Sequence, residues 1–449
     1  MRVIRKIDMN LAKSTSVNFF SQILTVLLLA LNVIVLTRVL GPAGKGAYSL
    51  VIQIPGIILL IGNFGIAYSN VYFLGKAEKT ESIIVNSILM AGFGGVIISL
   101  GFYVLLPFFQ HQIFHDISSF NLLLAISVSP FLLLIYFLSH VLLSKNIIEF
   151  NIVSIFQFNS SLFFLPLFLF VLSLNLKGAV LAYVISIVLT AAISIIFVKR
   201  HAQIHLNNID LPLLIRSIKF GSRAYLFHLT QALNYRIDLI IVAYYCPLAQ
   251  VGYYSIAVAI AEVITRIPNS IALALFPILP SLDKEEAGIL AAKACRHTLF
   301  IVSVGLFGLA LLGRFLVVLF FGFRYTPVLA PLWWLFPGML SISLFKVLLY
   351  YVTGEGKPEI GAYVSFISLL VTIALNIVLI PRFGIVGAAI TSSISYTVGA
   401  VLLLGYFLYF SKNKLSSILF IKRGDFISYR TTLISIFPNL APGGAPEET

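Results

Sequence analysis

The chain has 449 residues, of which 60% are hydrophobic and only 10% carry a formal charge, with a net charge of +14. Soluble domains have about 25% charged residues, so this chain has too few polar side chains to cover a globule in water. The composition excludes an ordinary soluble protein and predicts an all-α, polytopic membrane protein. We attribute the positive charge to Lys and Arg in cytoplasmic loops, and not to a nucleic-acid surface.

Twelve stretches are long and apolar enough to cross a bilayer, because about 20 apolar residues span its hydrocarbon core. The first stretch follows a basic arm without a small-residue cleavage site, so we expect a retained helix. No connecting loop is long enough for a soluble domain. The predicted spans are roughly 14–36, 48–73, 83–106, 120–143, 150–172, 179–198, 220–245, 252–279, 299–320, 328–352, 360–380 and 385–410.

The basic residues are distributed unequally between the two sides of this predicted bundle. Twenty of the thirty Lys and Arg residues fall on the side of the N-terminus, and five fall on the other side. Since Lys and Arg are retained in cytoplasmic loops, both termini are predicted to be cytoplasmic.

The two halves of the chain repeat each other. The turn GPAGKGAYSLVI after the first span is echoed by CPLAQVGYYSIAV after the seventh, at an offset of 206 residues. This register pairs Gly46 with Gly252, Tyr48 with Tyr254 and Ser49 with Ser255. Later, LKGAVLAYVIS matches IVGAAITSSIS at an offset of 209. Six spans per repeat keep the halves in the same orientation, which indicates two parallel six-helix repeats.

This repeat divides the chain into four parts. We predict an N-terminal lobe over 1–200, a cytoplasmic linker over 201–218, a C-terminal lobe over 219–411 and a partly disordered cytoplasmic tail over 412–449. Substrate sites in parallel-repeat transporters lie between the halves.

The seventh and eighth spans carry the charges that most need explaining. A charge inside a bilayer is costly and usually faces a partner or an aqueous cavity. Arg223, Gln231 and Asp238 recur at helical spacing on one face of the seventh span, and Arg236 points elsewhere. The remaining candidates are Glu262, Arg266 and Asn269 in the eighth span, where Glu262 and Arg266 can pair, and Lys346 in the tenth.

The first two spans have the same polar stripe without charges. By the repeat register, Asn32 corresponds to Asp238 and Asn63 to Asn269, and Gln22 lies on the same stripe. Four equivalent helices with polar faces predict a polar cavity between the halves, with most of its charge in the second half.

Each of these residues also has a structural interpretation. The Asn and Gln side chains could join helices by hydrogen bonds, which are worth about 0.6 kcal/mol each in membranes. Arg236 could extend to the membrane interface, and Arg223 could anchor the end of its helix. Glu262 and Arg266 could form a purely structural pair.

Motifs for enzymatic chemistry are absent from the sequence. It has no P-loop, HExxH or GxSxG motif and no Cys/His metal-ligand spacing, and its cysteines are Cys246 and Cys295. We therefore predict a transporter, not an enzyme, with no cofactor and no metal site.

Several segments together resemble a known family. RVLGPAGKGAYSLV, its echo CPLAQVGYYSIAV, NYRIDLIIV, RIPNSIALALFPILPSL and NIVLIPRFGIVGAAITSSIS are similar to sequences of polysaccharide and O-antigen flippases (Wzx type). These flippases belong to the multidrug/oligosaccharidyl-lipid/polysaccharide exporter (MOP) superfamily. The resemblance covers nearly all of the chain up to about residue 410.

The resemblance implies V-shaped lobes of twelve helices that work by alternating access in the bacterial inner membrane. The cargo would be an undecaprenyl-diphosphate-linked glycan, such as a lipopolysaccharide O-antigen unit, with Arg223, Arg236, Arg266 and Lys346 as counter-charges. Asp238 and Glu262 would couple transport to H+ or Na+. Gln22, Asn32, Asn63, Gln231 and Asn269 would contact the sugars. The expected partners are membrane lipids and a polysaccharide polymerase, and the transporter would be a monomer.

Three alternatives remain open. A cation-coupled multidrug or lipid II exporter of the same superfamily is the nearest, although a cation-drug exporter should have more acidic than basic residues in the membrane. A membrane glycosyltransferase or polymerase would need a large catalytic loop. A scaffold without transport activity would not need a charged, repeated stripe.

Overall fold

The computed structural model describes residues 2–276, 278–411 and 413–419. Side chains are described from residue 21 onward, except those of Leu206, Arg223, Ala224, Leu226, Phe227, His228, Tyr235 and Ser281. All regular structure in these ranges is helical, which confirms the predicted all-α class. Most of the predicted tail, from 420 to 449, lies outside the described residues.

The first half of the chain forms nine helices. They are α1 (Arg2–Gly62), α2 (Ile66–Gly75), α3 (Thr80–Leu89), α4 (Gly95–Gln112), α5 (Ser119–Ser127), α6 (Ser129–Lys145), α7 (Ile147–Asn159), α8 (Ser161–Leu165) and α9 (Asn175–Lys199). A short π-helical turn at Met90–Gly94 joins α3 to α4, and another at Pro166–Val171 follows α8.

The second half forms six helices in the described part of the chain. They are α10 (Leu211–Tyr245), α11 (Leu248–Leu275), α12 (Lys284–Phe321), α13 (Leu329–Gly354), α14 (Pro358–Ser411) and α15 (Leu415–Leu419). Asp210 begins α10 and Asp283 begins α12, each accepting a hydrogen bond from a first-turn amide.

Two of these helices are too long for one crossing, and each bends at a glycine. The 61 residues of α1 and the 54 residues of α14 would extend far beyond the roughly 30 Å hydrocarbon core. Gly41 has φ +69° and Gly384 has φ +56°, a region that glycine enters without steric cost. The kinks fall between the predicted first and second spans and between the predicted eleventh and twelfth spans.

Nine helical segments of the described chain are long and apolar enough to cross a membrane. The count of twelve spans stays a prediction. The outer surface suits lipid: Phe93, Val104 and Phe163 are 70%, 74% and 77% exposed, and so large an apolar exterior would not be stable in water.

The halves meet closely at two places. A Cβ on Gly46 would lie 1.9 Å from the carbonyl oxygen of Leu248, and one on Gly252 would lie 2.1 Å from that of Pro42. We call this side of the bundle the Gly46 end. Because Gly46 and Gly252 are equivalent in the repeat, their contact places the pseudo-twofold axis between them.

The second contact lies at the other end of α1. A Cβ on Gly65 would lie 2.0 Å from the carbonyl oxygen of Gly221. Sixteen residues of α1 separate Gly46 from Gly62, which is about 24 Å of helix, so this Gly65 end lies across the bundle. The halves therefore touch at both ends, with space between.

Helix α10 packs on both halves. Its cap residue, Asp210, exchanges two hydrogen bonds with Asn86 of α3, and Leu213 is buried in a core of first-half residues. Towards its other end, Asn234 and Asp238 bond to α14. The predicted lobe division stays a prediction, but the first turns of α10 share the core of the first half.

Candidate functional site

A cavity of about 610 Å³ lies between the halves, bordered by α1 on one side and by α10, α11, α13 and α14 on the other. The α1 wall contributes Lys45, Ser49 and Gln53. The remaining wall is contributed by the second half, so the cavity is asymmetric despite the repeat.

The charged residues predicted from the sequence meet in this cavity. Arg236, Asp238, Glu262, Arg266 and Lys346 all line it, although they come from three helices. The side chain of Arg223 lies outside the described residues. With Lys45, the lining has four basic groups and two carboxylates, a formal excess of two positive charges.

Arg236 extends from α10 towards α1. Its guanidinium lies 3.4 Å from Gln53 Oε1, and Gln53 Nε2 donates to the Arg236 carbonyl at 3.1 Å. A Cβ on Gly56 would lie 2.6 Å from the guanidinium, so the glycine leaves the space that this side chain occupies. Arg236 therefore lies between the halves, in contact with α1.

Glu262 lies among the cavity cations without a close ion pair. Arg236, Arg266 and Lys346 are all within electrostatic reach of its carboxylate. None of the ion pairs within 4.0 Å between described side chains involves Glu262, so Glu262 and Arg266, which could pair by their spacing, form no close ion pair. Lys346 Nζ instead donates to the Thr265 carbonyl at 3.3 Å.

Asp238 is held by a buried hydrogen-bond network at the edge of the cavity. Its Oδ1 accepts from Asn376 Nδ2 at 2.7 Å. Its Oδ2 accepts from Ser392 Oγ at 2.5 Å and from the Tyr254 hydroxyl at 3.2 Å. Asp238 is 5% exposed. The three donors come from α11 and both arms of α14, so this carboxylate joins the helices of the second half.

The other polar residues on the same face of α10, Asn234 and Gln231, lie against α14 as well. Asn234 Oδ1 accepts from Thr372 Oγ1 at 2.6 Å, and the same hydroxyl oxygen lies 2.6 Å from Ser395 Oγ. Gln231 lies beside Asn234 at a separate, much smaller gap with Tyr396. The predicted common face of α10 exists, but it mainly packs inside the second half.

The uncharged candidates do not line the 610 Å³ cavity. Asn32 donates to Ser161 Oγ at 2.6 Å, inside the first half, and Asn63 is buried close to Tyr225. Gln22 and Asn269 are exposed and are not among the residues that line this cavity. We therefore correct the prediction that four polar faces meet in one cavity. Asn32 and its repeat equivalent Asp238 both bond within their own half, which explains why their shared position is polar.

Sequence reasoning missed five residues around the cavity and its network. Lys45, Ser49 and Tyr254 stand in the repeated turns, and Asn376 and Ser392 stand in the late segment that carries the family resemblance. Gln53 was visible as a polar residue in the second span. Their roles depend on which helices adjoin, and the sequence alone carries no signal for that.

The fold is similar to two solved transporters. The lipid II flippase MurJ, in an inward closed conformation, superposes with a TM-score of 0.74 at 15% identity, covering 96% of this chain and 100% of that chain. A multidrug resistance MATE family transporter of the MOP superfamily, inward-facing, has a TM-score of 0.68 at 16% identity, covering 85% and 93%. At these identities the likeness shows the fold alone, and it confirms the MOP-type architecture.

Curated relatives match over a shorter range. A probable flippase of Haloferax volcanii, AglR, is 26% identical over 177 residues, 37% of this chain and 36% of AglR. The capsular polysaccharide biosynthesis protein CapF of Staphylococcus aureus is 30% identical over 148 residues, 32% of this chain and 37% of CapF. The matched region spans about a third of the length of these relatives.

The family profile described as "Polysaccharide biosynthesis protein" matches residues 11–283, which include α10, α11 and most of the charged cavity wall. Since this match covers more than half of the chain, the protein belongs to the polysaccharide biosynthesis protein family.

Proposed function

We propose that the protein is a flippase that moves an undecaprenyl-diphosphate-linked oligosaccharide from the inner to the outer leaflet of the bacterial cytoplasmic membrane. The observation that carries this proposal is the cavity between the halves, with its four basic groups against two carboxylates.

The charge of the cavity suits a diphosphate. A diphosphate esterified at both ends carries about two negative charges near neutral pH, equal and opposite to the formal excess of the lining. An anion cannot cross hydrocarbon alone, and the interaction with fixed cations is stronger where water is scarce. Arg236 and Arg266 can each present two parallel N–H donors to phosphate oxygens, and Lys346 adds a compact charge.

Uncharged groups suit the sugar part of the cargo. Ser49, Gln53 and Tyr396 line the cavity and offer donors and acceptors for hydroxyl groups. The volume of about 610 Å³ lies within the range of small-molecule sites, about 300–1,000 Å³. The names of the relatives agree with such cargo, because they describe flippases and capsular polysaccharide biosynthesis.

We assign ion coupling to Asp238 and the balancing of charge in the cavity to Glu262. The carboxylate of Asp238 is buried with the side-chain oxygens of Ser392 and Asn376, and Asn376 Oδ1 has no hydrogen-bond partner in the described structure. Oxygen ligands of this kind suit a hard cation such as Na+, and the carboxylate can alternatively accept H+. Glu262 faces three basic residues and is the poorer ion site.

The contacts at both ends support alternating access. A substrate path between the halves needs one end to open while the other stays closed, and the halves touch at both ends here. In this proposal both termini are cytoplasmic, as the distribution of Lys and Arg indicates. One chain encloses the cavity, so the transporter acts as a monomer.

The test uses purified protein in proteoliposomes that contain a fluorescent undecaprenyl-diphosphate disaccharide in both leaflets. A membrane-impermeant reductant bleaches the outer leaflet, and active protein then exposes the inner pool to further bleaching. Lys346→Met should reduce this rate at least tenfold, because one charged contact is worth about 1.5–3 kcal/mol. Lys145→Met removes an exposed lysine at the end of α6 and serves as the matched control.

The outcomes separate the alternatives. Equal rates for the unsubstituted protein and empty liposomes would refute the flippase. Movement of lipid II or of a cationic drug, without movement of the disaccharide lipid, would identify an exporter of the same superfamily. Accelerated bleaching that requires a Na+ gradient or a proton gradient would identify the coupling ion.

A further inference from the structure

Lys45 is a buried cation on the α1 wall of the cavity, apart from the charged residues that the second half contributes. It is 7% exposed and lines the cavity. Its Nζ donates to Ser49 Oγ at 2.9 Å and lies 5.6 Å from the Tyr48 ring centroid. No carboxylate of the described structure lies within 4.0 Å of its ammonium group.

The fold does not require a charge at this position. The repeat equivalent of Lys45, at the offset of 206, is Val251, which is fully buried. An apolar side chain therefore satisfies the packing of the same turn in the other half. Since a buried charge without a counter-charge is costly, a lysine here suits a ligand of opposite charge.

The position of Lys45 gives it a role that no other cation of the cavity has. Arg236, Arg266 and Lys346 belong to α10, α11 and α13, whereas Lys45 is the basic residue that α1 contributes to the lining. It directly precedes Gly46, whose backbone touches Leu248. An anion that contacts Lys45 and the other cations together is therefore held by both halves next to the Gly46 end.

We propose that Lys45 binds the diphosphate from the first half, and that this shared anion holds the Gly46 end closed around the substrate. This inference rests on the proposed flippase function. In it the bound anion links the halves, so the closed state of the Gly46 end depends on whether the anion is bound. Release of the diphosphate would leave only the backbone contact at Gly46 and Gly252.

The experiment measures binding and closure separately, with the full-length protein in lipid nanodiscs and undecaprenyl diphosphate as the probe. Closure is read from spin-label distances between Ala43→Cys and Arg382→Cys in a Cys246→Ala, Cys295→Ala background. Both labelled positions are exposed near the Gly46 end. The probe should raise the short-distance fraction in this background protein.

Lys45→Met, which preserves the length of the apolar stem, should weaken probe binding about tenfold, the effect of one lost charged contact. At a probe concentration that saturates the variant, the short-distance fraction should not rise. Lys45→Gln repeats the test with a different neutral side chain, and each variant must elute as a single species. Lys145→Met should behave as the background protein does.

Each result decides the matter. If Lys45→Met and Lys45→Gln bind the probe and close as the background does, the role of Lys45 is refuted and the flippase stands. If they bind weakly but still close at saturation, Lys45 is a ligand and does not link the halves, which also overturns the proposal. If the background protein itself does not bind undecaprenyl diphosphate, the proposed function fails and this inference fails with it.

Discussion

The contact between the halves at Gly46 can be tested by adding a single carbon atom. In Gly46→Ala the new Cβ would lie 1.9 Å from the Leu248 carbonyl oxygen and 2.8 Å from the Gly252 amide nitrogen. A carbon and an oxygen normally approach to about 3.3 Å, so the helices must separate by about 1.4 Å. Both opposing atoms belong to the backbone and cannot rotate away as a side chain would.

The expected cost falls on the closed state of the Gly46 end. Inserting a methyl group into well-packed structure costs about 1–3 kcal/mol, and this penalty is relieved when the halves part. The ratio of closed to open molecules should therefore fall by about 5- to 150-fold. Because the proposed transport cycle requires this end to close, the transport rate should fall in proportion to the closed fraction.

Spin-label distances measure this shift. The label pair at Ala43→Cys and Arg382→Cys, without the native cysteines, gives the closed fraction as the share of short distances. Gly305→Ala is the matched control, because nothing lies within 4 Å of a Cβ at that helical position. Alanine there should be neutral or stabilising by up to about 1 kcal/mol.

Equal short-distance fractions and equal transport rates for Gly46→Ala and Gly305→Ala would refute the reasoning. So would a loss of folded protein in Gly46→Ala, measured by thermal unfolding, without a change in the closed fraction of the molecules that remain folded.

Substitutions at three further positions test individual bonds by thermal unfolding in detergent. Asp238→Ala should destabilise the protein by about 1–3 kcal/mol for each donor left unpaired. Asp238→Asn should cost less because one amide oxygen can still accept, and equal losses would contradict the network. Glu149→Gln replaces a buried carboxylate that His201 Nε2 contacts at 2.6 Å, so we expect a loss of about 1–3 kcal/mol; an unchanged transition would show that the contact is not a stabilising one. Arg216→Ala breaks a partly exposed pair with Glu78 at 3.1 Å and should cost no more than about 1 kcal/mol, so a larger loss would be unexpected.

The positions of the helices and the repeat were predictable because both are local properties of the sequence. Apolar length marks a span wherever it folds, and the turns around Gly46 and Gly252 share Gly, Tyr and Ser at equivalent positions. Five of the six charged cavity residues could also be predicted, because a charge in an apolar helix is rare and needs a partner. The sixth, Lys45, lies in a predicted turn and was missed. Lys346 was identified on that argument alone, and it does line the cavity.

The sequence did not predict which neighbouring helix each polar face contacts. Helical spacing places Asn234 and Asp238 on one face of α10, but it does not say which helix lies opposite. That helix is α14, and the bonds of both residues reach partners 138 positions later in the chain. Asn32 illustrates the same limit, since its partner Ser161 lies 129 residues away. A polar residue that joins helices and one that lines a cavity look alike in sequence, because both need donors and acceptors.

The packing of α10 on both halves has a consequence for biogenesis. The surface that receives its first turns is complete when the helix leaves the ribosome, but the donor that Asn376 offers to Asp238 is made 138 residues later. At about 5–20 residues per second, this delay is roughly 7 to 28 s. Throughout that interval the nascent chain holds in the membrane a carboxylate that has the nearby Tyr254 hydroxyl but lacks two of its three final donors. A chain that stalls before residue 376 would keep this polar defect, which a completed chain does not have.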